Sequence, residues 1–407
     1  MTNIEPAGDS TPRTFLTTSA RPSGLAGKVQ LRAGTPDAVL AVIPHMLGFY
    51  PRRSLVVLGL GPHNRVVVTF RYDLPDPTDC SIADDIAEHA SYVLGRERIS
   101  GALLVGYGPA DLVAPVVAST AGCLIDKRID VHEVLRADSG RYWSMLCNDD
   151  ECCPPEGRSY DPGSHPAAAA LTDAGLTPHP DREALARTLQ RPAGSADNIR
   201  RATLAAQLRL SQLVDYGDAE GDRVPQLRAT RTGRREVQRA IRRYRSGGSI
   251  DSIEHLAWLA VLVADLRVRD DAWARMDPAH GADHCRLWTD IVRCAAVEFV
   301  PAPASLLAFT AWQAGNGALA VMAIERALAA DPDYSMAHLL DSAIQAALPP
   351  SAARMPMSPA AVAASYATAA GAAAKVPRQK RASGRRRMTR ARRQSKSNRS
   401  SVGLTKG

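Results

Sequence analysis

The sequence predicts an α/β fold, a mixed sheet covered by helices, followed by a second all-α domain with one tetratricopeptide-like hairpin. Three observations predict it. Aliphatic and β-branched runs alternate with helix-period segments as far as the Trp143 segment, the pattern of strands covered by helices. After Ala193 the pattern is almost entirely helical. A chain of 407 residues with 45% hydrophobic content can also bury more than one core.

The elements follow in order. Residues 1–27 are polar and rich in Ser, Thr, Pro and Gly, and read as disordered. "KVQLRA" (28–33) alternates like a strand. "TPDAVLAVIPHMLGF" (35–49) reads as a helix with Thr35 as N-cap and Pro36 at the first helical position. "SLVVLGL" (54–60) and "RVVVTFRYDLP" (65–75) are β-branched runs separated by "GPHN", which reads as a hairpin. A helix over 81–98, a strand in "GALLVGYG" (101–108), a helix from Pro109 to Gly122 and a strand in "IDVHEVLRAD" (129–138) complete the α/β domain, 28–192. The helical domain spans 195–349, with breaks at 215–225, 245–249 and 277–283. Its last part, with Gly315 ending a helix, small Ala320 and Ala327 at a helix contact and Pro332 opening the next helix, resembles one tetratricopeptide unit. Such repeats need about three copies to bury a continuous core, and one is found, so an ordinary helical hairpin is the alternative. Residues 350–407 read as a disordered Ala/Pro linker and basic tail.

Charge excludes one simple reading. Thirteen of the 50 Lys and Arg lie from Lys375 onward with no acidic residue among them. Residues 1–374 hold the other 37 against all 42 Asp and Glu, a net of −5. The body is mildly acidic and the basicity belongs to the tail. No charged segment followed by an apolar run opens the sequence, and the longest apolar stretch, Leu256–Ala264, is far below the roughly 18–20 residues of a spanning helix. The expectation is a cytoplasmic protein with no membrane contact and seven reduced cysteines.

"IPHMLGFYPRRSLVVLGL", "RYDLP", "YWSMLC" with "CCPPEG", and the later "AWQAGNGALAVMAIERALAADPDYSMAHLL" are spaced like a known signature. Over roughly 28–350 the chain resembles the actinobacterial domain-of-unknown-function family 4192. The resemblance implies a bacterial soluble protein and carries no activity or catalytic residues.

The cysteines are the first candidates for chemistry. Cys147, Cys152 and Cys153 place three thiols within seven residues, but tetrahedral metal sites want four ligands. His132 or His165 are the candidate fourth ligands. Asp149, Asp150 and Glu151 are expected to raise the thiol pKa and to discourage a catalytic role. The alternative is a Pro-stiffened loop whose cysteines act as small buried hydrophobes near the functional sheet edge, with Tyr142 and Trp143 anchored in the core and Pro154 and Pro155 fixing the exit.

The strand ends are the second. A crossover helix between the strands at 65–72 and 101–107 makes them parallel, so that Arg71 and Asp73 meet Tyr107 and Gly108 at one edge, where a helix begins. Ligands of open α/β sheets bind at such edges, and helix amides favour anions. Arg71 would hold a carboxylate or phosphate and Asp73 would orient it; alternatively the two brace one another. "DDIAEH" (84–89) reads as a solvated helix face, and His280, Asp283, His284 and Cys285 form a further metal candidate. "RATRTGRREVQRAIRRYR" (228–245) is a basic amphipathic helix with Val237 and Ile241 inward.

No phosphate-loop, dinucleotide, zincin or nucleophile-elbow motif is present, and no cofactor is expected. The leading reading is a binding or scaffold protein that senses a small anionic ligand at the strand-end cleft. An enzyme of unrecognised type, a hydrolase or transferase using the same cleft, is one alternative. A nucleic-acid-associated protein, weakly and non-specifically held through residues 375–407, is the other. The helical domain would take a protein partner.

Overall fold

A computed structural model describes residues 16–20, 29–77, 80–215, 224–350 and 357–366. Its strands are β1 (Leu16–Ala20), β2 (Val29–Ala33), β3 (Ser54–Gly61), β4 (Arg65–Asp73), β5 (Gly101–Tyr107), β6 (Asp130–Asp138), β7 (Arg141–Ser144) and β8 (Arg158–Ser159). They form one mixed sheet in the order β2-β1-β4-β3-β5-β6-β7-β8. Strand β1 falls inside the polar stretch read from sequence as disordered; it pairs antiparallel with β2 and touches β4 through Thr17 and Arg65.

The sheet's centre is dry on both sides. Every residue of β5, and every residue of β3 up to Leu60, is buried, as expected of continuous aliphatic runs rather than alternating ones. Helix α1 (Pro36–Leu47) covers one face, packing Val39, Leu40 and Ile43 against Val56, Leu58, Leu103 and Val105. Pro36 starts it and Gly48, at φ +81°, ends it, but the Thr35 side chain makes no cap bond. Helices α2 (Cys80–Arg96) and α3 (Ala110–Asp126) cover the opposite face, over Leu55, Val57, Leu104 and Val134.

Connectivity follows the crossover argument. β3 is antiparallel to both β4 and β5, so β4 and β5, joined through α2, run the same way with β3 between them. β5 and β6 are parallel through α3. β6 and β7 are joined by a two-residue turn, Ser139 and Gly140, both with positive φ (50° and 73°), the twist that suits a tight hairpin.

The helix-rich part follows: α4 (Pro166–Asp173), α5 (Arg182–Arg187), α6 (Ala196–Asp215), α7 (Val224–Arg245), α8 (Ile253–Val263), α9 (Leu266–Ala274), α10 (Gly281–Arg293), α11 (Pro301–Gln313), α12 (Gly317–Ala330) and α13 (Ser335–Gln345). α11 is buried on all sides, and Leu306, Leu307 and Phe309 meet Leu259, Trp288 and Ile291 in its core. Ala320 and Ala327 of α12 are fully buried there too. Phe49, Leu185 and Leu189 reach into that core from the preceding part of the chain. A polar contact adds to this: His89 Nε2 lies 2.7 Å from the carbonyl of Gln345, and the Arg96 guanidinium donates to the carbonyls of Ala346 and Ala347. Two residues of α2, two turns apart, thus satisfy the orphan carbonyls that end α13.

Two glycines make the packing argument testable. A Cβ at Gly106 would stand 2.2 Å from Val113 Cγ1, where α3 lies directly on β5. Gly95, near the end of α2, has open space where its Cβ would be. Gly106→Ala should destabilise by about 1–3 kcal/mol through overpacking, and Gly95→Ala should stabilise by about 0.5–1 kcal/mol through helix propensity. Urea unfolding of the two variants checks both signs.

Candidate functional site

The strand-end edge gathers the predicted residues. Ser54, at the start of β3, pairs with Asp73 on one side and Tyr107 on the other. Arg71 is turned inward: its Nε donates to Ser54 Oγ at 2.9 Å, its Nη2 donates to the Asp73 carboxylate, and its guanidinium lies 5.6 Å from the Phe49 ring centroid. The Arg71 side chain is 15% exposed and that of Asp73 77%, so the pair braces the edge with the acid outermost. Tyr107 is sunk in the core under α1, its hydroxyl has no hydrogen-bond partner among the described residues, and burial pushes its pKa well above the ordinary value.

Gly108 is the turning point. At φ +141°, it donates its N–H to the carbonyl of Ala137 at 2.9 Å and accepts Arg136 Nη1 on its own carbonyl at 3.5 Å. A Cβ there would stand 3.9 Å from the Cα of Arg53, itself at φ +43°. Pro109 opens α3 without a side-chain cap. Sequence reasoning found Gly108 and missed Arg53 and Arg136. The first was legible in the "PRR" turn ahead of β3; the second comes to the edge only because β6 pairs beside β5.

The cysteine loop follows β7. β7 runs antiparallel to β6 and carries the chain away from that edge, so that Met145 N–H bonds the carbonyl of Val134 at 2.8 Å. Leu146 then shares a recess with Ile129, Asp130 and Val131 at the opposite end of β6. The loop then returns along β7, where Arg158 beside Tyr142 holds the Cys152 carbonyl and Trp143 Nε1 that of Pro155. The expectation of buried cysteines is corrected: Cys152 is exposed, and Cys147 and Cys153 are half-buried. Tyr142 is in the core as expected, but Trp143 stands outside it, stacked 3.5 Å from the Arg136 guanidinium.

The three sulfur atoms lie within 4.8 Å of one another. Neither His132 nor His165 belongs to this group: His132 lies over Gly101, and His165 caps α4 and faces Asp37. The acidic residues do not set the reactivity as expected. The Asp149 backbone amide beside Cys147 holds that thiol below its ordinary pKa, outweighing the Asp149 charge. Cys153 is pushed up to about 12 by burial and by its sulfur neighbours.

The histidine cluster does not assemble among the described residues. His280 Nδ1 faces Asp283 Oδ2 at 3.2 Å, while His284 is buried with neither ring nitrogen bonded, and Cys285 is pushed up to about 12 by burial.

A family model described as a domain of unknown function, DUF4192, matches residues 36–351. The chain belongs to that family. No curated protein and no solved structure matches it. The DUF4192 match begins at Pro36, the first residue of α1, and takes in both the strand-end edge and the cysteine loop. No activity comes with the family's description.

His284 gives the DUF4192 protein a pH dependence of known sign. Burial, helped by Arg245 and His280 and opposed by Asp277 and Asp283, pulls its pKa down to about 4. The unfolded chain, with an ordinary imidazole near 6.5, then binds a proton that the folded chain refuses between about pH 6.5 and 4. The stability this provides is complete above that window and lost on acidification, on the order of 3 kcal/mol in full. Urea midpoints at pH ~7 and ~4.5 should differ less in His284→Leu than in the parent protein.

Proposed function

We propose that this is a binding protein that takes a small anion at the strand-end edge of its sheet. The observation that carries the reading is the convergence at Gly108. Arg136 sits on its carbonyl, Arg53 crosses beside it, and the uncapped first turn of α3 follows it. Free amides at a helix start beside a guanidinium group are a place where a carboxylate or phosphate is stabilised. The alternative of catalysis by Arg71 and Asp73 draws less support, because the Asp73 carboxylate is already occupied by Arg71 and Arg71 is committed to Ser54.

Isothermal titration with inorganic phosphate and with a small dicarboxylate tests it. Binding is expected to weaken roughly tenfold in Arg53→Ala, the loss of one charge-assisted contact, and further in Arg53→Glu. Equal affinity in parent and Arg53→Glu proteins would remove the edge as the site.

One observation favours a second reading, nucleic-acid association through the body of the protein. On α7, Arg228, Arg231, Arg235, Arg239 and Arg242 are all exposed, at spacings of three and four residues that place them on one face. Val237, Ala240, Ile241 and Tyr244 are buried on the other. Of the stripe, Arg239 has an acidic neighbour, Glu236, at 2.9 Å. The stripe is about 21 Å long at 1.5 Å per residue, a length over which it can neutralise several phosphates. The tail, 375–407, lies outside the described residues. Replacing Arg231, Arg235 and Arg239 by alanine in the full chain should flatten the log–log salt dependence of duplex DNA binding by about three phosphate contacts. If the slope stays unchanged and deleting 375–407 abolishes binding, the tail alone is responsible.

A further inference from the structure

The cysteine loop is held in shape by polar contacts rather than by a core. Met145 is 40% exposed and Leu146 54%, and Cys152 is exposed as well. From Met145 to Glu156 no residue is buried. Hydrophobic burial therefore does not explain why three cysteines sit where they do. Instead the Asp149 carboxylate accepts the N–H groups of Glu151 at 2.9 Å and Cys152 at 3.4 Å, and its carbonyl accepts that of Cys153 at 2.6 Å. The result is a tight turn between Cys147 and Cys153. Arg158 donates to the carbonyls of Glu151 and Cys152, Arg141 to those of Glu156 and Gly157, and Trp143 Nε1 to that of Pro155. Each anchor grips a carbonyl oxygen, so all three thiols are left free of them.

We propose that Cys147, Cys152 and Cys153 form a trithiolate site for a thiophilic divalent cation of the zinc class, with the fourth position open to water or an external ligand. The spacing fits. Zinc–thiolate bonds of about 2.3 Å place tetrahedral sulfurs about 3.8 Å apart, and these three already lie within 4.8 Å of one another. The direction of the supporting bonds fits as well. The Asp149 carboxylate and carbonyl draw in the N–H groups of Glu151, Cys152 and Cys153, so the turn that brings the sulfurs together is fixed by its backbone, a role that outer contacts play around bound metals. Charge separates this from a monovalent ion: three thiolates beside Asp149, Asp150 and Glu151 leave a large negative excess that a divalent cation offsets better. The open position follows from the exposure of Cys152. Binding displaces the thiol protons to solvent and changes no oxidation state. The site stands independently of the anion reading.

The test uses the full chain, purified reduced and without chelator, with Co²⁺ as the optical probe. A sulfur-to-cobalt charge-transfer band in the near ultraviolet, with intense tetrahedral visible bands, should saturate at about one metal per chain and be displaced by Zn²⁺. Cys147→Ser, Cys152→Ser and Cys153→Ser should each weaken Co²⁺ binding by at least tenfold, whereas Cys123→Ser, on α3, should leave it unchanged. Independently of any variant, Zn²⁺ should protect these three cysteines of the parent protein from alkylation, read by peptide mass spectrometry. Absence of a thiolate charge-transfer band, a band that survives all three serine variants, or alkylation indifferent to Zn²⁺ overturns the site.

Discussion

β3 and β5 have almost no surface in water, and the rest of the structure is arranged around that fact. A strand buried on both faces needs a helix on each, so α1 must lie on one side and α2 and α3 on the other. Placing β3 between β4 and β5 also gives it a partner strand on both sides. The chain must then cross from β4 to β5 through α2, and this crossover makes those strands point the same way. Asp73 and Tyr107 finish level with Ser54 because of that, and β6 brings Arg136 to the same end. The candidate site is a consequence of covering the centre.

Arginine does much of the fastening. Arg96 ends α13 by binding the carbonyls of Ala346 and Ala347, and Arg141 and Arg158 do the same for the loop between β7 and β8. Arg243 and Arg286 hold the carbonyls of Ser249 and Tyr244 around the end of α7. A guanidinium is a planar fork of five donors with no acceptor, so one side chain can satisfy two carbonyls that secondary structure has left over. Much of the chain's positive charge is therefore structural. Counting charges along the sequence cannot separate the fastened arginines from the exposed row on α7, which helical spacing and exposure pick out instead.

The layering was legible because aliphatic runs such as "SLVVLGL" and "GALLVG" have one physical solution, and the parallel relation of β4 and β5 because a crossover allows little else. The mixed sheet with a helix-rich part behind it is observed as read. Less legible were β1, a short polar strand between β2 and β4, β8, an edge strand of two residues, and α4, whose alanines bury little. At the candidate site, sequence brought Arg71 and Asp73 to the same end of the sheet as Tyr107 but could not say which way the guanidinium turned. Its partners, Ser54 and Phe49, sit on another strand and on the loop before it. The cysteine spacing was visible, yet the convergence of the sulfurs depends on the Asp149 turn and on Arg158 beyond the prolines. The burial of these cysteines was misjudged for the same reason: exposure is set by what packs over a loop, and here nothing apolar does.

The two candidate sites share a run of contacts. Arg136 places one nitrogen on the carbonyl of Gly108 and its face 3.5 Å from the ring of Trp143. Trp143 in turn bonds the carbonyl of Pro155, two residues after Cys153. The tightest point in this run is Gly157, at φ +75°, where a Cβ would stand 2.4 Å from the Trp143 ring. Any other residue there meets both a backbone penalty and a ring that cannot retreat without leaving Arg136. Glycine at 157 thus keeps the indole seated between the arginine and the loop. That seat explains why the chain can leave the sheet after β7, traverse an uncored loop of cysteines and acids, and return in register as β8.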